Sequence, residues 1–171
     1  YNAKVLFIGT KRGLESTLVP SQGFDLRYID VEGFKRSLTL DNLKVVLKTI
    51  KAIGDCKTII KDFSPNVIIC TGGYVSGAVM HAAHSMKIPC MIHEQNVYPG
   101  VAVRMSVRYA DAVLTSFEET SNYISKPQKC LYVGNPVRSE ILTADTKAAR
   151  MSLKLDERPF ILAFGGSLGA Q

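Results

Sequence analysis

Apolar residues fall in short blocks along the chain, and between several blocks they thin to helical spacing. KVLFIG (4–9), FDLRYI (24–29), NVIIC (66–70), PCMIH (89–93), DAVLT (111–115), CLYVG (130–134) and FILAF (160–164) read as strands. Most carry Val, Ile, Leu or Cys at consecutive positions, the pattern of a strand that meets packed side chains on both faces. Residues at about 40–62, 75–86, 99–110, 116–124 and 145–152 have the spacing of helices. Strands separated by helices predict the α/β class, with a parallel sheet covered on both sides.

In such a sheet the ligand lies beyond the carboxyl ends of the strands. The segments there are GTKRGLE (9–15), TGGYVSG (71–77), HEQN (93–96), GNPVR (134–138) and GGSLGAQ (165–171), and they hold most of the glycine and polar clusters. Gly9 and Gly13 read as turn and helix-entry glycines, because their spacing is not GxGxxG. In TGGYVSG the glycines are denser than one turn requires. Gly72 and Gly73 permit close backbone approach to an anion or a sugar, and Ser76 adds a hydroxyl; simple packing is the plain alternative. HEQN sets four hydrogen-bonding side chains directly after an apolar strand, an arrangement that suits a cleft wall. Glu, Gln and Asn commonly hold sugar hydroxyls, and His93 and Glu94 are candidates for moving protons. The alternative is a capping turn closed by Pro99 and Gly100. A metal site is not indicated: HExxH is missing, and His81 with His84 supplies only two ligands.

Composition narrows the class. With 171 residues, 46% hydrophobic and 21% charged, the chain has the make-up of a folded globular protein. No apolar run has the length of a membrane span, and residues 1–13 lack a signal-peptide pattern, so neither a crossing nor an exported protein is expected. Four scattered cysteines without a CxxC pair fit a reducing cytoplasm. A formal charge of +6 favours an anionic partner. Part of that charge gathers at Lys35, Arg36, Lys44, Lys48, Lys51, Lys57 and Lys61. Lys44, Lys48 and Lys51 share one helix face, which reads either as a solvated face or as a basic patch for anionic lipid headgroups. No nucleic-acid partner is expected, since no stacking platform or binding motif accompanies the charge.

After GNPVR the chain becomes polar and poor in strand signal, which marks a linker. RPFILAFGGSLGAQ then reads as a fresh strand and glycine-rich loop, the opening of a second α/β unit.

Together, FIGTKRGLESTLVP, TGGYVSG, IHEQNVYPG, GNPVR and FGGSLGAQ closely resemble the MurG enzymes, in order and spacing, over nearly the whole chain. These are peripheral glycosyltransferases at the cytoplasmic face of the bacterial cell membrane. In peptidoglycan synthesis they move N-acetylglucosamine from UDP-N-acetylglucosamine onto lipid I, with inversion, to give lipid II. The resemblance implies a GT-B architecture of two Rossmann-like domains. Residues 1–136 would be the acceptor-side N-terminal domain, 137–156 a linker, and 157–171 the start of the donor-binding domain. It implies donor contacts by Asn96, Arg138 and Ser167, and an acceptor diphosphate held at Gly72, Gly73, Tyr74, Ser76 and Gly77. The partners implied are UDP-N-acetylglucosamine, lipid I and an anionic inner-leaflet surface, with no metal or redox cofactor.

Departures from the family pattern matter as well. Its first glycine-rich loop, GGTxGH, belongs to a strand that should precede residue 1, and its histidine is a candidate base. Ala78 stands where a proline is usual and Val103 where an asparagine is usual, so a polar group near the cleft is expected to be lost. Most of the donor domain is not in this sequence, so the chain alone is expected to be inactive. A rival reading is a non-catalytic, acceptor-binding and membrane-recruiting half of a split glycosyltransferase. A dinucleotide enzyme is disfavoured, because neither GxGxxG after a strand nor an acidic residue about 20 positions on is present in that arrangement.

Overall fold

The computed structural model describes residues 3–32 and 41–163, with side chains from 45 onward in the second stretch. The chain forms two compact units, residues 1–135 and 136–171. In the first, β1 (Leu6–Gly9), α1 (Glu15–Ser21) and β2 (Asp25–Tyr28) are followed by the long helix α2 (Asp41–Phe63). Then come β3 (Ile68–Cys70), α3 (Gly73–Ser85), β4 (Cys90–Glu94), α4 (Val101–Ser106), β5 (Ala112–Thr115), two 3-10 turns (Glu118–Tyr123 and Pro127–Lys129) and β6 (Cys130–Tyr132).

Every strand pairing is parallel. β1 pairs with β2, and a separate sheet runs in the order β3-β4-β5-β6, with Ile69 opposite Met91 and Leu114 opposite Leu131. The α/β class with a parallel sheet therefore holds. Helix α3 packs between α2 and α4. Beneath them lies a core of Ala52, Cys56, Met80, Ile92, Val107 and Val113, each 0% exposed. Sinking a side chain the size of Met or Ile this far contributes about 1.5–3 kcal/mol.

Coverage of both sheet faces is not observed among the described residues. Cys70, Cys90 and Ile92 face the helices, whereas the neighbour Ile69 is 60% exposed and Leu131 55%. Alternate residues of a strand point to opposite faces, so the second face of this sheet is open here. The free edges of β1 and β3, neither paired on that side among the described residues, border a largely apolar cleft of about 960 Å³. Strands β1 and β3 flank it, and the turns after them close its carboxyl end.

Elsewhere the observed elements shift from the expected ones. Residues 15–21 form α1 with Pro20 in its last turn, a helix that Gly13 as a helix-entry glycine implies but that apolar spacing does not mark. Its residues pack on β1 and β2 with none fully buried, so their apolar periodicity is weak. The expected helix at 116–124 is a 3-10 turn. The expected linker contains two helices, α5 (Ser139–Thr143) and α6 (Thr146–Ser152); Asp145 caps the latter by accepting from Ala148 N at 2.9 Å. Residues 160–163 are not a strand, and Ile161 is 90% exposed; no strand among the described residues pairs with them. The rest of that expected strand, the GGSLGAQ loop and Ser167 lie outside the described residues, as do Lys35 and Arg36.

Candidate functional site

The loop after β3 owes its shape to glycine. Gly72 has φ 92° and ψ −167°, and Gly73 has φ 76°, so both occupy left-handed conformations that L side chains resist. Gly72 is also the N-cap of α3, and no side chain caps that end. The first amides of a thirteen-residue helix thus open at the loop, with the positive end of the helix dipole behind them.

The expected site residues of this loop divide into two groups. Tyr74 is 65% exposed and stands on the rim. Ser76 is 4% exposed, and its hydroxyl donates back to the Gly72 carbonyl, so it braces the loop from inside rather than lining the rim. Gly77 sits within α3, where a Cβ would meet nothing within 4 Å. Ala78 is buried in the core. Val103 is 3% exposed and backs the loop, since a Cβ at Gly72 would meet its Cγ2 at 3.7 Å. Position 103 is thus apolar packing directly behind the glycines, beside the loop rather than on its open rim.

Next to it, the turn after β4 is a web of side-chain bonds. His93 is 7% exposed and Glu94 2%. One ring nitrogen of His93, Nε2, lies 3.1 Å from the Gly134 carbonyl and 3.3 Å from Ser116 Oγ, while Nδ1 lies 3.0 Å from Gln95 Nε2. A neutral ring that donates from Nε2 and accepts at Nδ1 satisfies both contacts. Glu94 Oε1 accepts from Asn96 N and Nδ2, both at 2.9 Å, and Oε2 accepts from Gly100 N at 2.9 Å. Both proton-transfer candidates are thus internal braces in this structure. Asn96 is exposed, and Thr120 Oγ1 holds its carbonyl at 3.0 Å.

The two loops meet. Gln95 Nε2 reaches the Thr71 carbonyl at 3.4 Å, which sets Tyr74 and Asn96 at neighbouring strand ends. Arg138 is the exposed N-cap of α5 in the second unit.

The role of Glu15 is missed by sequence reasoning. Its Oε1 accepts from Thr10 N at 2.8 Å and Thr10 Oγ1 at 2.9 Å, which holds its carboxyl below the usual carboxylate range, the main-chain bond from Thr10 being the largest cause. A Cβ on Gly9 or Gly13 would collide with this side chain, so these two glycines make room for a carboxylate rather than only for a turn. The signal was present as two glycines shortly before a single acid in GTKRGLE. Glu15, Gly72, Gly73 and Ser76 line the same cleft.

The basic face on α2 is less free than its spacing suggests. Lys48 Nζ lies 2.6 Å from Glu32 and 3.6 Å from Asp30; Glu32 above all raises its pKa. Lys51 is exposed, and the side chain of Lys44 is outside the described residues. A different patch stands out on and beside α4: Tyr98 is 60% exposed, Val101 63% and Met105 56%. The Arg104 guanidinium lies 5.3 Å from the Tyr98 ring centre. No helix among the described residues is long and apolar enough to cross a membrane, and none of their His, Cys, Asp and Glu side chains form a group of three or more that could hold a metal ion. Burial pushes the Cys56 and Cys70 thiols up to about 12, as expected of cysteines used as small core residues.

Parallel strands with glycine-rich and polar loops at their carboxyl ends define the Rossmann-like α/β class, and comparison with known proteins makes this specific. The chain belongs to glycosyltransferase family 28: the model of that family's N-terminal domain matches residues 1–115. It is 42% identical over 171 residues to a protein of Acetivibrio thermocellus named UDP-N-acetylglucosamine--N-acetylmuramyl-(pentapeptide) pyrophosphoryl-undecaprenol N-acetylglucosamine transferase, covering 99% of this chain and 46% of that one. The crystal structure of Acinetobacter baumannii MurG superposes with a TM-score of 0.63 at 27% identity, over 80% of this chain and 38% of that one. The resemblance to the MurG enzymes and the GT-B type of fold are thereby borne out. A UDP-GlcNAc 2-epimerase from Neisseria meningitidis shares the fold alone, with a TM-score of 0.58 at 16% identity over 90% of this chain and 47% of that one. The chain spans about half the length of the curated relatives it matches.

Proposed function

We propose that this chain supplies the acceptor-side half of an inverting glycosyltransferase that moves N-acetylglucosamine from UDP-N-acetylglucosamine to lipid I, forming lipid II. One observation carries the reading. An uncapped helix N-terminus at Gly72–Gly73 is joined, through Gln95 and Thr71, to a turn that exposes Asn96. Amides at the first loop suit the acceptor's diphosphate. The amide side chain at the second suits a sugar hydroxyl or N-acetyl group. In the complete reaction a base takes the proton of the attacking hydroxyl, and dipoles or cations stabilise the leaving UDP. Asn96, Arg138 and Ser167 stand as the donor contacts, and Gly72, Gly73, Tyr74 and Gly77 as the acceptor contacts.

The test is separate binding of a soluble lipid I analogue and of UDP-N-acetylglucosamine to residues 1–171. Acceptor binding with little donor binding is the expected result. Donor binding without acceptor binding would overturn the assignment of this half. Transfer activity restored only by a second polypeptide would favour the split-enzyme reading.

The same reading places the protein peripherally, on the cytoplasmic face of the membrane. The α4 patch supports this better than the α2 lysines, since it joins exposed Tyr98, Val101 and Met105 to exposed Arg104 and Arg108. Val101→Asp with Met105→Asp should abolish binding to anionic vesicles, and Lys51→Glu should change it little. The reverse pattern would return the contact to α2.

A further inference from the structure

Glu94 is a carboxylate at 2% exposure whose hydrogen-bond partners are all N–H groups of its own turn. An ionised carboxylate only accepts hydrogen bonds. It therefore selects which end of the Asn96 amide can face it. The NH2 end makes a bond of 2.9 Å to Oε1; the opposite orientation would set two acceptors against each other. The main chain of Asn96 is fixed as well, its N–H by the same Oε1 and its carbonyl by Thr120 Oγ1, a side chain that is 0% exposed. Three of the four polar groups of Asn96 are thus committed inward. One Nδ2 hydrogen is used on Glu94, and because that bond fixes the amide's orientation, Oδ1 and the second Nδ2 hydrogen meet a ligand at set places.

We propose that Glu94 is a positioning residue that locks the Asn96 amide so that Oδ1 keeps one place and Nδ2 the other, making the Oδ1 place selective for a ligand group that donates, either a hydroxyl or an N-acetyl N–H. The proposal rests on the donor-sugar role given to Asn96 above. It goes beyond that role by setting the polarity of the contact and naming the residue that sets it. The rest of the turn serves the same end: Gly100 N, at the start of α4, ties down the second carboxylate oxygen and keeps Glu94 from rotating away.

The experiment uses the full-length enzyme with UDP-N-acetylglucosamine and analogues in which one sugar hydroxyl at a time is replaced by hydrogen or by fluorine, plus one lacking the N-acetyl N–H. Comparing wild type with Asn96→Ala identifies the substituent coupled to Asn96. At that substituent the analogue without a donor should lose about tenfold in kcat/KM with the wild type, and for a hydroxyl fluorine should be as poor as hydrogen, because neither donates. In Glu94→Gln the amide can face either way, so the penalty should shrink to about twofold while the parent substrate loses about five- to tenfold. A fluorine analogue that performs like the parent with wild type would overturn the proposal. So would a Glu94→Gln enzyme that slows every analogue by the same factor, the signature of a purely structural role. Should that variant not fold, the wild-type series decides alone. A wild-type enzyme that transfers no sugar from UDP-N-acetylglucosamine would instead refute the function proposed above.

Discussion

The loop after β3 depends on backbone freedom, whereas the turn after β4 is held by side chains. At Gly72 and Gly73 the chain takes two consecutive positive-φ conformations and leaves the start of α3 uncapped, so the groups on offer are main-chain amides. At the end of β4, His93 and Glu94 are buried; Glu94 fixes the exposed Asn96 amide, Thr120 holds the Asn96 main-chain carbonyl, and His93 bonds Gln95. The first loop tolerates almost no side chain at its key positions; the second needs particular ones. Open main-chain N–H groups suit an anion, and a fixed amide side chain suits a group that must be oriented.

This contrast is sharpest at Glu94. Glu94→Ala removes the acceptor of three N–H groups in a buried turn, and should cost about 3 kcal/mol, since each strands a donor or forces it back to water. Thermal unfolding should move down by roughly 6–12 °C. A shift under about 2 °C would mean that the turn is not held by its side chains.

Gly72→Ala tests the other loop. A Cβ there is ordinary van der Waals contact from Val103, so space is not the obstacle; φ 92° is. The strain should cost about 1–3 kcal/mol, or the loop should rearrange and give up acceptor binding while stability is kept. Retention of both stability and binding would show that the amides at this loop do not need the observed geometry.

Much of this layout was legible in the sequence. Consecutive apolar residues in NVIIC and PCMIH mark β3 and β4, whose Cys70, Cys90 and Ile92 pack against the helices. The glycine pair at 72 and 73 is visible where positive φ is required, although Ser64 and Lys87 take positive φ with no glycine to mark it. What was hidden depends on direction. Ser76 and Glu94 have the residue types of a ligand site, yet one points back to a carbonyl and the other is enclosed by its own turn. Lys48 lies on a basic stripe but meets Glu32, sixteen positions earlier, a pairing no local spacing reveals. The strand at 160–164 is expected from its apolar block, and an apolar block cannot supply the neighbouring strand that a ladder needs; among the described residues none pairs with 160–163.

Glu15 adds a second, weaker version of the β4 device, a carboxylate holding a main-chain N–H at a strand end. Its folded-state pKa is depressed, so its contribution is fully present above the unfolded value near 4.5 and is lost as pH falls through the folded value. Wild type should exceed Glu15→Gln by about 1 kcal/mol at pH 7, and the gap should close progressively below about pH 4.5. A gap that stays constant down to pH 3 would remove the carboxylate's charge from the explanation.

The smallest effect separates geometry from ligand contact within α3. Gly77 is helical, its φ is not positive, and a Cβ would enter open space, so nothing in the described fold requires glycine there. Alanine should therefore stabilise the helix by about 0.5–1 kcal/mol, through loss of unfolded-state freedom and better helix propensity. If the acceptor's diphosphate settles onto the start of α3, the added methyl should also weaken acceptor binding, giving a variant that melts higher and binds worse. A variant that melts higher and binds equally well would take Gly77 out of the site and leave the acceptor contacts to Gly72, Gly73 and Tyr74. A variant that melts lower would mean that the helix packs more closely at this position than the open space around it implies.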